Sequence, residues 1–169
     1  MVAASSPPAL APADLDRLRR ARATAASVPD PEIPVLTIED LGILRDVQLI
    51  DDTVEVFVTP TYSGCPAMAA IEADVATALH QAGFERVRVR RVLAPAWTTD
   101  WLSEAGRHKL AVYGIAPPAL RRSGQGRPVA CPRCGSVETE LISAFGSTPC
   151  KALHRCLACR EPFDAFKCH

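Results

Sequence analysis

Two pairs of cysteines constrain the fold of this chain more than any other feature. Cys131 and Cys134 form one Cys-x-x-Cys pair, and Cys156 and Cys159 form the second. Two thiolates three positions apart can point from one tight turn to a common centre, so two such turns supply the four ligands of a tetrahedral metal site. Gly135 permits a positive φ that turns backbone N–H groups toward the sulfurs. The spacing therefore predicts a four-cysteine metal module over residues 131–169.

The metal of this module is expected to be zinc. A segment this short cannot bury a sufficient core alone, so ligation is expected to supply its folding free energy. Four sulfurs suit zinc or iron, because a Cys-Pro-x-Cys-Gly turn serves both zinc ribbons and rubredoxin-like iron sites. Cys150 and Cys168 lie beside the four ligands. They either complete an additional site or, for Cys150, pack within the module.

The cysteine count and the charge balance limit the remaining classes of protein. Seven cysteines without a secretory signal indicate reduced thiols and a cytoplasmic location. Lys plus Arg and Asp plus Glu number 19 each, so no global field favours nucleic acid or an anionic membrane. The apolar runs are far shorter than the ~20 residues that span a bilayer. We therefore expect neither nucleic acid nor a membrane as a partner.

Composition divides the 169 residues into four segments. Residues 1–13 are rich in Ala, Pro and Ser and are expected to be disordered. Residues 14–118 carry alternating helix and strand patterns and are expected to form one α/β domain. Residues 119–130, which contain arginines and glycines but no acidic residue, are interpreted as a flexible basic linker to the module at 131–169.

The pattern of the first domain predicts its order of elements. These are a helix at 14–27, an extended proline-rich segment at 28–35, a strand pair within 47–58, a helix at 67–81, a strand at 86–92 and a helix at 100–113. Strand, helix and strand of this length predict a right-handed β-α-β crossover. The expected fold class is α/β or α+β, with a small mixed sheet and flanking helices, followed by a small zinc-ribbon-like metal module.

Cys65 is the single cysteine of the first domain. It lies between Gly64 and Pro66, just before the predicted helix at 67–81, where free N–H groups and the helix dipole lower a thiol pKa. Such a thiolate could attack a substrate or hold a soft metal; the alternative is a small buried hydrophobe. His80 lies too far along the helix to act as its base, so covalent catalysis is weakly supported.

Acidic residues in the proline-rich segment are the remaining candidates. Asp30 and Glu32 flank Pro31, and Asp40 follows shortly after. They could be general acids or metal ligands, or they could accept hydrogen bonds from backbone donors of a rigid loop. Trp97 and Trp101 are interpreted as core or interface anchors.

Residues 30–35, 40–42 and 61–66 together resemble the SufT-like family of iron–sulfur assembly factors, and the resemblance covers residues 28–113. The wider pattern resembles the PaaD family, the D subunits encoded with the multicomponent phenylacetyl-CoA epoxidase. The segments that carry this second resemblance are 59–66, 113–118, 131–136, 145–148 and 161–169.

The resemblance implies an auxiliary role in aerobic phenylacetate catabolism. The epoxidase couples a di-iron oxygenase to a reductase with flavin and a [2Fe–2S] cluster, and family members are expected to assemble or install iron–sulfur or iron centres in these partners. Cys65 corresponds to the cysteine that the assembly family is proposed to use for iron–sulfur species. The resemblance also gives Cys150 and Cys168 weight as additional site residues. The alternative is an electron-transfer or structural component with an iron-loaded ribbon, which would be coloured.

Overall fold

The computed structural model describes residues 11–62, 64–118 and 128–167. Within these residues the chain forms three α-helices, one 3₁₀ turn and seven strands. In chain order they are α1 (Pro12–Ala26), β1 (Leu44–Ile50), β2 (Thr53–Val58), α2 (Met68–Gln81), β3 (Val87–Arg91), the 3₁₀ turn (Thr99–Trp101), α3 (Glu104–Tyr113), β4 (Ile115–Ala116), β5 (Thr139–Ser143), β6 (Lys151–Cys156) and β7 (Pro162–Phe166). The expected disorder at 1–13 lies outside the described residues up to residue 10, and α1 begins at Pro12. The expected linker at 119–130 lies outside them up to residue 127.

A three-stranded mixed sheet in the order β1-β2-β3 forms the centre of the first domain. β1 and β2 pair antiparallel, and Asp51 and Asp52 both take positive φ in the tight turn between them. β2 and β3 pair parallel, with α2 as the crossover helix. The predicted β-α-β unit is therefore confirmed.

The core of this domain contains the apolar faces of α2 and β2. α2 buries Met68, Ile71, Val75 and Leu79 along one face, as a helical period of apolar residues requires. β2 buries three alternate valines in the same cluster: Val54, Val56 and Val58. Alternate residues of a strand share one face, so these valines form the side of the sheet that meets the core.

The proline-rich segment closes into a loop, which corrects the expectation of an extended run at 28–35. Val28 O accepts a hydrogen bond from Ile38 N at 2.9 Å, and Leu36 O accepts one from Asp30 N at 2.9 Å. Asp30 Oδ1 accepts from two further backbone N–H groups inside the loop. The chain therefore doubles back, because hydrogen bonds across the loop satisfy donors that an extended segment would leave to water.

The predicted helix at 100–113 is interrupted, and the reason is local. The 3₁₀ turn ends at Trp101, Leu102 and Ser103 are extended, and α3 starts at Glu104. Ser103 Oγ accepts a hydrogen bond from Gly106 N at 2.8 Å, and Ser103 N donates to Asp40 O at 2.8 Å. A serine in this arrangement caps a new helix and cannot continue the previous one.

The C-terminal ribbon belongs to a four-stranded sheet in the order β4-β7-β6-β5. β5, β6 and β7 pair antiparallel, and β4, which follows α3, pairs parallel with β7. Phe166 of β7 and Cys150, which precedes β6, are buried within the apolar core of the first domain. The Phe166 and Trp97 ring centroids lie 6.2 Å apart. The ribbon and the first domain therefore share a packed boundary.

Among the described residues, none of the helices is both long enough and apolar enough to cross a bilayer.

Candidate metal centre and thiol cleft

Two tight turns place the four ribbon cysteines. In the first turn, Gly135 N donates to Cys131 O at 2.9 Å and Gly135 adopts a φ of +76°. In the second, Cys156 N donates to Glu161 O at 3.0 Å, and Arg160 takes a positive φ. Left-handed residues at the ends of both turns reverse the chain within a few residues, so the sulfurs of each pair face the other pair.

The four sulfurs form a compact cluster. Cys131, Cys134, Cys156 and Cys159 have all their Sγ atoms within 4.8 Å of one another. The Cys131–Cys159 and Cys134–Cys156 sulfur distances are 3.8 and 3.6 Å, far beyond the ~2.05 Å of a disulfide. A tetrahedron with metal–sulfur bonds of about 2.3 Å has edges of about 3.8 Å, which these distances match. The donor set therefore fits a tetrahedral four-thiolate metal ion.

The surroundings of the cluster favour thiolates and a structural ion. Cys159 N donates to Cys156 Sγ at 3.5 Å, and backbone donors of this kind lower the pKa of Cys156 to about 6. Four protein ligands leave no open coordination position, which is typical of structural sites. The ribbon's own apolar cluster is small and contains two of the ligands themselves, Cys131 and Cys156. Metal ligation is thus a principal source of stability for this module.

A second group of thiols and carboxylates lies in a cleft between the first domain and the ribbon. We call this the thiol cleft. Its cavity measures about 10 Å³. Its polar and aromatic lining consists of Asp30, Glu32, Thr61, Cys65, Cys150 and Phe166. The sequence candidates Asp30, Glu32, Cys65 and Cys150 are thus brought together, whereas Cys168 lies outside the described residues.

Cys65 is half-buried at the edge of the thiol cleft. Its backbone N donates to Tyr62 O at 3.1 Å, and α2 begins three residues later at Met68. Burial raises the pKa of the Cys65 thiol despite hydrogen bonds from Ala67 N and the Thr61 hydroxyl, and the neighbouring Glu32 and Asp30 carboxylates add to this rise. The lowered pKa expected from a helix N-terminus is therefore wrong, because desolvation and two negative charges outweigh the local donors.

Cys150 approaches the cleft from the ribbon and is only 5% exposed. Its Sγ lies 3.0 Å from Thr148 Oγ1, and its S–H donates to Glu32 Oε2 at 3.6 Å. Burial raises the pKa of Cys150 to about 11. Cys150 is thus a protonated thiol that contacts a carboxylate of the other domain.

The acidic residues and tryptophans take mainly structural positions. Asp30 Oδ1 accepts from Ile33 N at 2.7 Å and Glu32 N at 2.9 Å, while burial raises the pKa of this carboxyl. This confirms the interpretation of Asp30 as an acceptor for backbone donors. Trp97 Nε1 donates to Leu41 O at 2.8 Å from a buried position, as expected for a core anchor.

Asp40 ties the loop to α3. Its Oδ2 accepts from Lys109 Nζ at 2.6 Å and Thr37 N at 3.0 Å. Burial raises the pKa of Asp40, but the ammonium of Lys109 and the Thr37 donors outweigh it and hold this pKa below its ordinary value. Asp40 therefore stabilises the fold and does not line the thiol cleft.

Sequence reasoning missed the contact between Glu32 and Cys150 and the role of Phe166 in closing the cleft. Glu32 and Cys150 are 118 positions apart, so no local periodicity or motif spacing relates them. The available signal was an unassigned cysteine and an unassigned acidic pair in one chain.

The fold and the two cysteine sites define an iron–sulfur assembly domain joined to a zinc β-ribbon. Residues 20–90 match the model of the iron–sulfur cluster assembly protein family, and residues 116–167 match that of the PaaD zinc beta ribbon domain. The crystal structure of a domain of unknown function, DUF59, from Bacillus anthracis has the same fold, with a TM-score of 0.55 and 24% identity over 59% of this chain and 96% of that one.

Two relatives give the family. The chain is 52% identical over 148 residues, 86% of its length and 90% of the relative, to the Escherichia coli (strain K12) protein named as the D subunit of the "Putative 1,2-phenylacetyl-CoA epoxidase". It is 36% identical over 80 residues, 46% of its length and 75% of the relative, to an "Fe-S protein maturation auxiliary factor" of Porphyromonas gingivalis (strain ATCC BAA-308 / W83). The chain belongs to the PaaD family of phenylacetyl-CoA epoxidase D subunits.

Proposed function

We propose that this protein is a maturation factor that assembles or installs iron or iron–sulfur centres in the oxygenase or reductase subunits of a phenylacetyl-CoA epoxidase. The observation that carries the proposal is the thiol cleft: Cys65 of the iron–sulfur assembly domain lies half-buried at its edge, with two carboxylates and a second thiol beside it. The names of both relatives support the same interpretation, since one is named as a part of that epoxidase and the other as a maturation factor.

The iron or cluster is cargo in this proposal, and Cys65 is its transient ligand. A thiolate binds iron by ligand exchange, so a client protein with more cysteine ligands can take the cargo without any change of oxidation state. A half-buried position suits this task, because a fully exposed thiolate is easily oxidised and a fully buried one cannot meet a client.

The ribbon is proposed to hold zinc as a structural ion. Its four sulfurs form a closed site, and its apolar core is small. The ribbon also presents exposed apolar side chains that a partner subunit could cover: Val137, Leu141, Ile142, Phe145 and Leu157. Zinc content of protein purified without oxygen tests the assignment, since an iron-loaded ribbon absorbs visible light and a zinc-loaded one does not.

The experiment that tests the proposal compares cells whose only copy is wild type, Cys65→Ala or the control Val112→Ala. Val112 is 75% exposed and does not line the cleft, so its truncation is expected to be silent. The readout is the iron and [2Fe–2S] content of epoxidase purified from each strain. We expect metal-deficient enzyme with Cys65→Ala and normally loaded enzyme with Val112→Ala.

A second assay separates maturation from electron transfer. Fully loaded epoxidase from wild-type cells is expected to turn over with its reductase and NADPH whether or not this protein is added. Normal metal content in the Cys65→Ala strain would refute the assembly role. A stoichiometric requirement during steady-state turnover would replace it with an electron-carrier role.

A further inference from the structure

The thiol cleft unites two thiols that come from different domains. Cys65 lies in the loop before α2, and Cys150 immediately precedes β6 of the ribbon. Both line the same cavity, where the Cys150 thiol contacts Glu32 Oε2 at 3.6 Å. Neither sulfur belongs to the four-cysteine cluster of the ribbon. We infer that Cys65 and Cys150, together with the Glu32 carboxylate, form a second metal site that binds one Fe²⁺ ion, and that the docked ribbon completes this site.

The donor set selects the class of ion. Two thiolates and a carboxylate oxygen suit borderline-soft divalent ions such as Fe²⁺ and Co²⁺, whereas Mg²⁺ and Ca²⁺ take all-oxygen sites. Binding replaces the two S–H bonds by two S–Fe bonds, and the two protons pass to water. Iron stays in the divalent state, so the step needs neither an oxidant nor a reductant.

The size of the cavity selects one ion over a cluster. A volume of about 10 Å³ holds about one water-sized particle. A [2Fe–2S] unit has two irons and two sulfides and cannot enter while the ribbon is docked. The closed cleft therefore holds iron in mononuclear form.

The spacing of the donors shows how the ion is gathered. Among the described residues, the ribbon cysteines form the one cluster whose donor atoms all lie within 4.8 Å of one another. The Cys150 and Glu32 donors are already in contact at 3.6 Å. The half-buried Cys65 side chain must therefore turn about its Cα–Cβ bond toward this pair as the ion binds.

The neighbours of the two sulfurs favour this role. The Thr148 hydroxyl lies 3.0 Å from Cys150 Sγ, and the Thr61 hydroxyl bonds to Cys65. These hydroxyls orient the ligands, as the outer partners of metal ligands do. Gly64 is exposed and Tyr62 is half-buried beside Cys65, so an ion has access from this side.

The inference deepens the proposed function, on which it rests only for the choice of iron. The ribbon in this arrangement contributes a ligand directly, in addition to its own structural ion. Closing and opening of one domain boundary would then decide whether iron is held or released.

The test uses the full-length protein with one equivalent of zinc in the ribbon, titrated without oxygen with Co²⁺ alone and with Fe²⁺ alone. Wild-type protein should bind one further equivalent, with sulfur-to-cobalt charge-transfer absorption, while the zinc is retained. Cys65→Ser and Cys150→Ser should each weaken binding by on the order of 100-fold or more, since even an outer-shell partner is worth roughly 10- to 100-fold. Glu32→Gln should weaken it to a smaller extent, roughly tenfold.

Cys168→Ser is the matched control, because it removes a thiol of the ribbon segment that the inference leaves out; binding should be unchanged. X-ray absorption at the iron edge of the wild-type protein needs no variant and should report two sulfur neighbours. A second ion that persists in Cys150→Ser, or one that depends on Cys168, or an iron with fewer than two sulfurs, would overturn the inference.

The two proposals can fail separately. Metal-deficient epoxidase with Cys65→Ala, together with no second ion in the titration, would leave the maturation role standing without this site. A two-sulfur iron site in a protein whose Cys65→Ala variant still loads epoxidase normally would leave the site standing without the maturation role.

Discussion

Phe166 tests whether the ribbon and the first domain fold as one unit. It belongs to β7 of the ribbon, yet it is 4% exposed and buried in the core of the first domain. Its ring centroid lies 6.2 Å from that of Trp97 at an interplanar angle of 50°. Replacing Phe166 by alanine removes the ring from this shared core and leaves the four cysteine ligands unchanged.

The expected loss of stability follows from burial. Truncating a fully buried phenylalanine to alanine costs about 3–5 kcal/mol, from lost apolar transfer and the remaining cavity. With a urea dependence of about 2 kcal/mol per molar, a cost of about 4 kcal/mol lowers the urea midpoint by about 2 M. Tryptophan fluorescence reports the first domain through Trp97 and Trp101, and zinc content measured in parallel reports the ribbon.

Phe145→Ala is the control, since the chain offers a second ribbon phenylalanine that is 70% exposed. Lys167 Nζ lies 4.2 Å from the centroid of its ring. Losing this exposed cation–π contact is expected to cost at most about 1 kcal/mol. Equal midpoints for the two variants in the fluorescence transition would refute the shared core and show that the ribbon docks without stabilising the first domain.

Two further predictions concern the loop that leads to the sheet. Gly42 has a φ of +69°, and a Cβ there would lie 2.6 Å from the Cβ and carbonyl O of Trp101, whereas Gly83 has a φ of +89° and open space. Calorimetry should therefore find Gly83→Ala destabilised by about 1–2 kcal/mol and Gly42→Ala by about 2–5 kcal/mol, and equal losses would contradict the steric argument. Asp40 has a folded pKa below its ordinary value of 3.8 because Lys109 pairs with it, so its stabilisation is complete above that value and is lost as the pH falls through the lowered pKa. Between about pH 5 and pH 3 the melting temperature of wild type should fall more steeply than that of Asp40→Asn, and parallel curves would contradict the assignment.

The sequence predicts those features that depend on neighbours in the chain. The four ribbon ligands follow from spacing within two short turns, and the structure brings their sulfurs within 4.8 Å. α2 and the strand pair follow from periods of 3.6 and 2 in apolar residues. The predicted helix at 100–113 is wrong at its start, because Ser103 bonds to Asp40 O from a distant loop. A contact of this range has no signal in a local pattern.

The thiol cleft is predictable only in part, for the same reason. Cys65, Asp30 and Glu32 are candidates by residue type, but their common location depends on a loop that doubles back and on a docked ribbon. The predicted direction of the pKa shift at Cys65 is wrong because burial by these segments outweighs the helix terminus. Solvation is a property of the completed fold, so chemistry inferred from one element cannot supply it.

The position of β7 has a consequence for biosynthesis. In the ribbon sheet this strand lies between β4 and β6, although the ribosome makes it after both. Until β7 leaves the exit tunnel, β4 and β6 have no strand between them, and the first domain lacks the Phe166 ring that fills its core. Folding of both domains is thus completed by the same late segment, so a nascent chain cannot close the thiol cleft before its metal ribbon is in place.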